Sequence, residues 1–221
     1  MLNFENASNA FHDLYWRVVR DGVDFAGTKA LFNVGFYIEN PALNTIFNSR
    51  VDRDWSIDYA EAEWQWYLSG DPNIKKLGKI YGKIPPIWKR MANDHGYVNS
   101  NYGHQWQRTC WNNISQLDYV IDKLKKHKHT RHAAISIYDG KEHYKYENDT
   151  PCTYAIQFTN VDNYLNMCVT MRSNDLWYGF CNDQYQFSKL QELIASKINM
   201  EIGTYYHFAH NLHIYSDKLG L

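Results

Sequence analysis

The chain has 221 residues, 44% hydrophobic and 21% charged, with a formal net charge of −1, a size that one domain with its own core accommodates. That balance supplies no global attraction to nucleic-acid polymers or anionic membranes, and no run of about 18 apolar residues marks a membrane span. The opening MLNFENASNAFHDL lacks a basic segment leading into an apolar one, so a cytoplasmic protein with one domain over residues 1–221 is expected.

Ser8 or Asn9 is placed to cap a first helix in which Phe11, Leu14, Tyr15 and Val18 recur at helical spacing before Gly22. LFNVGFYI at 31–38 suits a buried strand, and a second helix over about 59–68 carries Glu63. Residues 70–107 mix Gly, Pro, Asn and Trp without sustained periodicity and predict loops over a site. Leu117, Val120, Ile121 and Leu124 mark a further helix running into the basic stretch KLKKHKHTRH. Four β-like runs follow, AAISIYD, TYAIQFTN, YLNMCVTMRS and TYYHFAHNLHIY, with a helix over 184–198 between the last two. This order predicts an α+β domain on a largely antiparallel or mixed sheet flanked by helices.

Cys110, Cys152, Cys168 and Cys181 are too far apart for a Cys-x-x-Cys motif and predict free thiols. Cys152, directly after a proline at the start of a predicted strand, is either a small core residue or a nucleophile. A nearby guanidinium such as Arg172 would stabilise its thiolate and can also grip a phosphate. Glu63, Asp175 and Asp183 sit in apolar or aromatic surroundings, where a carboxyl can be tuned for proton transfer, although Asp183 also suits an N-cap of the helix over 184–198. The aromatic fraction of 16% fits an aromatic core or a pocket for flat heterocycles. His127, His129 and His132 have no carboxylate or cysteine spaced to complete a metal site, so no metal is expected.

Taken together, EWQWYLSGDPNIKKLG around Glu63, IWKRM at Trp88, NYGHQW at Tyr102, TPCT at Cys152, MRSNDLWYGFCND and LHIY at His213 resemble the thymidylate synthase superfamily, and most closely its phage deoxycytidylate hydroxymethylases. The resemblance covers residues 24–215. It implies a thymidylate synthase-like fold and a homodimer. The substrate it implies is a pyrimidine nucleoside monophosphate, with 5,10-methylenetetrahydrofolate as one-carbon donor. Residue by residue, Cys152 matches the nucleophile that attacks C6, Glu63 the general acid/base, and Trp88 and Tyr102 the cleft beside the one-carbon centre. Arg172 and Ser173 match phosphate ligands, with Arg131 reaching the phosphate from the partner subunit. Gln157 matches a pocket-lining position, His213 and Tyr215 the pair on the sugar hydroxyl, and Asp175 and Gly179 contacts on the pterin side.

Asp183 stands where thymidylate synthase has an asparagine reading uracil. A protonated Asp183 donates to cytosine N3 and accepts from its amine, and the donation draws electrons from C6. The resemblance thus points to dCMP 5-hydroxymethylation, with CMP hydroxymethylation, cytosine-nucleotide methylation and a non-catalytic nucleotide- or RNA-binding homologue as alternatives. Several positions depart from the synthase pattern. Phe25 replaces the arginine of the first phosphate loop, where Lys29 is the nearby cation. His132 replaces the second of a paired arginine set, Thr153 a histidine, and Cys181 a proline. The chain ends six residues after Tyr215, where the family continues into a tail over the folate, and easier entry of water there would suit hydroxymethylation.

Overall fold

The computed structural model describes residues 2–220. After β1 (Leu2–Phe4), helix α1 (Ala7–Asp21) forms because Ala7, Phe11, Leu14, Tyr15 and Val18 fall on one face, and all are fully buried. Its cap is Asn6 rather than Ser8 or Asn9. The Asn6 side chain accepts from the Asn9 amide at 2.9 Å, while Ser8, already inside the helix, accepts from the Phe47 amide. The chain turns through β2 (Val23–Phe25) into β3 (Thr28–Ile38), which starts earlier than the apolar run because β2 pairs with its first residues.

Ser56 accepts from the Tyr59 amide and opens α2 (Ile57–Leu68). The stretch expected to be loops instead holds α3 (Ile74–Tyr81), α4 (Pro86–Met91) and α5 (Tyr102–Gln107). At six to eight residues these are too short for a 3.6-residue period to register, and each is set by local chemistry at its ends. Asn73 caps α3, which Gly82 closes in the left-handed region at φ 83°; proline occupies the first position of α4; Asn101 caps α5.

A hairpin of β4 (Thr109–Trp111) and β5 (Ile114–Ser115) precedes α6 (Gln116–Lys126). Then come β6 (Ala134–Ser136), β7 (Thr153–Val161), β8 (Tyr164–Met171), β9 (Asn174–Asp175), α7 (Cys181–Ile198) and β10 (Glu201–Tyr215). The main sheet runs β1-β3-β10-β8-β7-β6, with β2 beside β3 and β9 beside β10. It is mixed: β10 is antiparallel to β3 and parallel to β8 and β9. Helices α1 and α7 pack on its central strands over the buried Phe36, Phe158, Val169 and Tyr205. On the opposite face the register lines up Gln157, Cys168, Tyr206 and Tyr37 in a row of half-buried side chains.

Close helix contact sets the position of Tyr102. Any Cβ on its neighbour Gly103 would run into the Tyr67 backbone, so α5 lies directly against α2. Gly103→Ala is expected to cost about 3 kcal/mol through overpacking, lowering the melting temperature by roughly 6–12 °C for a chain of this size. Thermal unfolding checks this, and an unchanged melting temperature contradicts the packing.

Candidate active site

The elements bring together a cluster of buried acidic side chains. From α2, Glu63 is 4% exposed and burial pushes its carboxyl up to about 7, although hydrogen bonds from Tyr59, Gln186 and Trp88 pull the other way. The order of donors is legible in the distances. Trp88 Nε1 of α4 donates to the Tyr59 hydroxyl at 2.7 Å, which donates to Glu63 Oε1 at 2.8 Å, and Gln186 Nε2 donates to Oε2 at 3.2 Å. Trp66 meets Trp88 edge-on, so Glu63 sits in an aromatic cage.

Asp183 lies in the first turn of α7 and caps nothing. A π-helical turn (Leu176–Phe180) runs straight into α7, and the cap belongs to Asp175, whose Oδ1 accepts from the Trp177 amide at 2.9 Å. Burial, reinforced by the Glu63 charge, raises Asp183 to about 8, while a hydrogen bond from Asn174 opposes the shift. That bond is 2.8 Å from Asn174 Nδ2 to Asp183 Oδ2. Gly179 passes alongside. Asp175 is itself raised to about 6 by burial.

Cys152 precedes β7, and burial pushes its thiol up to about 11, against which the Arg172 guanidinium pulls down. Arg172, at the end of β8, is stapled to the Cys152 loop by three bonds. Its amide donates to Cys152 O at 2.8 Å, Nε to Pro151 O at 3.1 Å and Nη2 to Thr150 O at 2.7 Å. Ser173 follows, half-buried. Tyr102 is 3% exposed and stacks on Phe187 at 5.3 Å; burial and the charges of Asp183 and Cys152 raise its phenol. From β10, His213 bonds Asn211 at 2.8 Å and is kept neutral by burial and by the Arg172 charge, while Tyr215 lies within the fields of Asp175 and Cys152.

The fold therefore gathers Cys152, Glu63, Asp183, Tyr102, Trp88, Arg172, Asp175, Gly179, His213 and Tyr215 into one cluster linked by hydrogen bonds and electrostatic fields. Three other expected residues lie elsewhere. Lys29 Nζ donates to Val19 O at the end of α1, at 2.8 Å. Gln157 is turned to the half-exposed sheet face, because a register shift between Thr153 and Ala155 reverses the alternation along β7. Arg131 is exposed in a basic groove with Lys123, Lys128 and three histidines. Tyr59, Gln186 and Asn174 were missed; the spacing of Tyr59 four residues before Glu63 and Gln186 three after Asp183 is the only sequence signal they offer.

Chemically, the pocket offers a sulfur nucleophile, a proton-transfer carboxyl, a second carboxyl able to stay protonated at neutral pH, and a guanidinium for an anion. Comparison with known proteins shows the family. A family model for thymidylate synthase matches residues 10–220. Deoxycytidylate 5-hydroxymethyltransferase of Enterobacteria phage T4 is 29% identical over 183 residues, covering 80% of this chain and 69% of that protein. Deoxyuridylate hydroxymethyltransferase of Bacillus phage SP01 is 29% identical, over 95% of this chain and 57% of its own length. Thymidylate synthase of Fusobacterium nucleatum is 31% identical, over 72% and 57%. In three dimensions, thermostable thymidylate synthase A from Bacillus subtilis superposes with a TM-score of 0.78 at 20% identity, over 95% of this chain and 80% of the other.

Two outcomes follow from the electrostatics. With Glu63 at about 7 and Asp183 at about 8, the folded chain holds protons that the unfolded chain releases near its ordinary carboxylate range. Their contribution to stability is therefore fully present at low pH and is lost as pH rises from about 4 through about 8, whereas burial of neutral His207, lowered to about 3, works the other way below the ordinary histidine range. Thermal melts across pH should show Asp183→Asn, which cannot ionise, gaining on the wild type as pH rises from about 4 to about 8; a difference between the two that does not change with pH contradicts the assignment. Alkylation of Cys152 without ligand, followed by mass, should be slow at neutral pH and accelerate towards about pH 11; fast neutral alkylation contradicts a protonated resting thiol.

Proposed function

Because the chain belongs to the thymidylate synthase family, a family of one-carbon transferases on pyrimidine nucleotides, we propose that it hydroxymethylates C5 of a cytosine nucleotide, with dCMP the favoured substrate. The observation that carries the choice of base is Asp183, raised to about 8. As a neutral acid at pH 7 it donates to cytosine N3 and accepts from the exocyclic amine, a pattern that uracil mismatches unless the acid's proton changes oxygen. CMP is the second reading.

Cys152 Sγ adds to C6 and makes C5 nucleophilic; C5 takes up the one carbon and gives up its proton, water supplies the hydroxyl of the resulting CH2OH group, and the sulfur leaves C6 as the ring double bond is restored. Hydrogen bonding from Asp183 to N3 withdraws electron density from the ring and favours that addition. The Arg172 charge stabilises the thiolate as it forms and, with Ser173, binds the nucleotide phosphate; Arg131 of a second copy completes that site in a homodimer built on the half-exposed sheet face. His213 and Tyr215 hold the sugar hydroxyl. Glu63, close to half-ionised at neutral pH, takes and returns the protons that leave C5 and enter the product, with Tyr102 beside it.

5,10-Methylenetetrahydrofolate supplies one carbon at the formaldehyde oxidation level. The residues here fit it. Trp88 presents a half-buried ring braced edge-on by Trp66, Asp175 offers a carboxyl, and Gly179 leaves the wall open where a side chain would crowd Asn174 and Asp183. These three are the proposed pterin contacts.

Purified protein incubated with methylenetetrahydrofolate and dCMP, CMP or dUMP in turn should add one CH2O unit to dCMP, read by mass. Asp183→Asn should lose that activity and turn preference towards dUMP by ~100-fold or more. Addition of CH2 would replace hydroxymethylation by methylation, and an unchanged base preference in Asp183→Asn would sink the role given to that carboxyl.

A further inference from the structure

Resting on the reading of Asp183 as the group that faces the base, we infer that Asn174 is a specificity-determining positioning residue, which decides on which Asp183 oxygen the proton sits. A neutral carboxyl has one hydroxyl and one carbonyl oxygen, and its two arrangements have opposite meanings. Protonated on the oxygen beside ring N3, it donates to N3 and accepts from the amine of cytosine. Protonated on the other oxygen, it accepts from N3–H and donates to O4 of uracil. An acid with nothing to hold its proton therefore serves either base.

Asn174 breaks that symmetry. Its Nδ2 donates to Asp183 Oδ2 at 2.8 Å, which holds Oδ2 as an acceptor and leaves the proton to Oδ1. Oδ2 then takes the cytosine amine on its second lone pair, and Oδ1–H faces N3. Asn174 is 1% exposed and its own Oδ1 has no hydrogen-bond partner among the described residues, so the amide's engagement is with Asp183. β9 fixes it in place by pairing Asn174 with Leu212 of β10. Gly179 preserves the bond, since a Cβ there would lie 3.1 Å from Asn174 Nδ2 and 3.2 Å from Asp183 Oδ2.

The other titratable groups around Asp183 do not substitute for this donor. Glu63 comes from α2 and Asp175 from β9, and both disfavour its ionised form. Cys152, Tyr59, Tyr67, Tyr102 and Tyr205 face it as neutral groups. Asn174 alone among the side chains acting on Asp183 favours the carboxylate.

The test is Asn174→Leu, which keeps the side chain's shape and removes the amide. Calorimetric affinities for dCMP and dUMP, measured without folate across pH, are expected to show the dCMP preference falling by ~10-fold or more. Because cytosine is bound by the acid form and affinity is lost as pH rises through its titration, the pH at which dCMP binding fails should move upward in the variant. Equal weakening of both nucleotides with an unmoved pH midpoint would make Asn174 merely structural and overturn the inference. Should Asn174→Leu fail to fold by circular dichroism, Gly179→Ala, which crowds the same bond, decides: the preference falls if the inference holds and stays if it does not. Wild-type protein that shows no preference for a cytosine nucleotide would instead overturn the function on which this rests.

Discussion

The arrangement depends on putting carboxyl groups where water is scarce. Glu63 beside Tyr59 and Trp88, and Asp183 among Tyr59, Tyr67, Tyr102 and Tyr205, are buried, and that burial rather than any neighbouring charge is the first cause of their raised proton affinities. The cage must therefore be rigid and close, and several features outside the pocket make it so. α5 lies directly on α2 at Gly103, Tyr102 stacks on Phe187, and the chain of donors from Trp88 through Tyr59 ends on Glu63.

The same burial has a cost at Cys152, the proposed nucleophile. Cys152 is held protonated by its surroundings, and three acidic neighbours, Asp183, Asp149 and Asp175, add to that effect. Arg172 opposes them but is also stapled to the Cys152 loop through backbone carbonyls. A resting thiol in this state is poorly nucleophilic, and in the proposed reaction a proton donated by Asp183 to the base would make C6 a better electrophile before sulfur needs to be fully ionised.

Much of the candidate cluster was legible in the sequence because its members stand in ordered motifs: Cys152 after a proline, Arg172 in MRSND, Glu63 in EWQWYLSGD. What escaped was set by tertiary packing. Asn174 sits inside a motif, yet its bond to Asp183 exists only because a π-helical turn brings α7 back over β9. Gln157 would share the buried face of Thr153 by simple alternation, and only the register shift after Thr153 turns it to the half-exposed face. Lys29 has the right charge near the missing arginine but spends it on the end of α1. The short helices α3, α4 and α5 were hidden for a different reason: end signals at Asn73, Gly82, Pro86 and Asn101 define them, while their apolar periods are too brief to read.

The central claim is that Asp183 carries a proton at neutral pH in the folded chain. The direct measurement is a titration of the carboxyl carbon of aspartate labelled with 13C, assigned to Asp183 by comparison with Asp183→Asn. The account predicts a midpoint near 8. A midpoint in the ordinary carboxylate range, about 4, would mean that Asp183 is ionised at pH 7 and cannot donate to cytosine, and the account of base choice would fall with it.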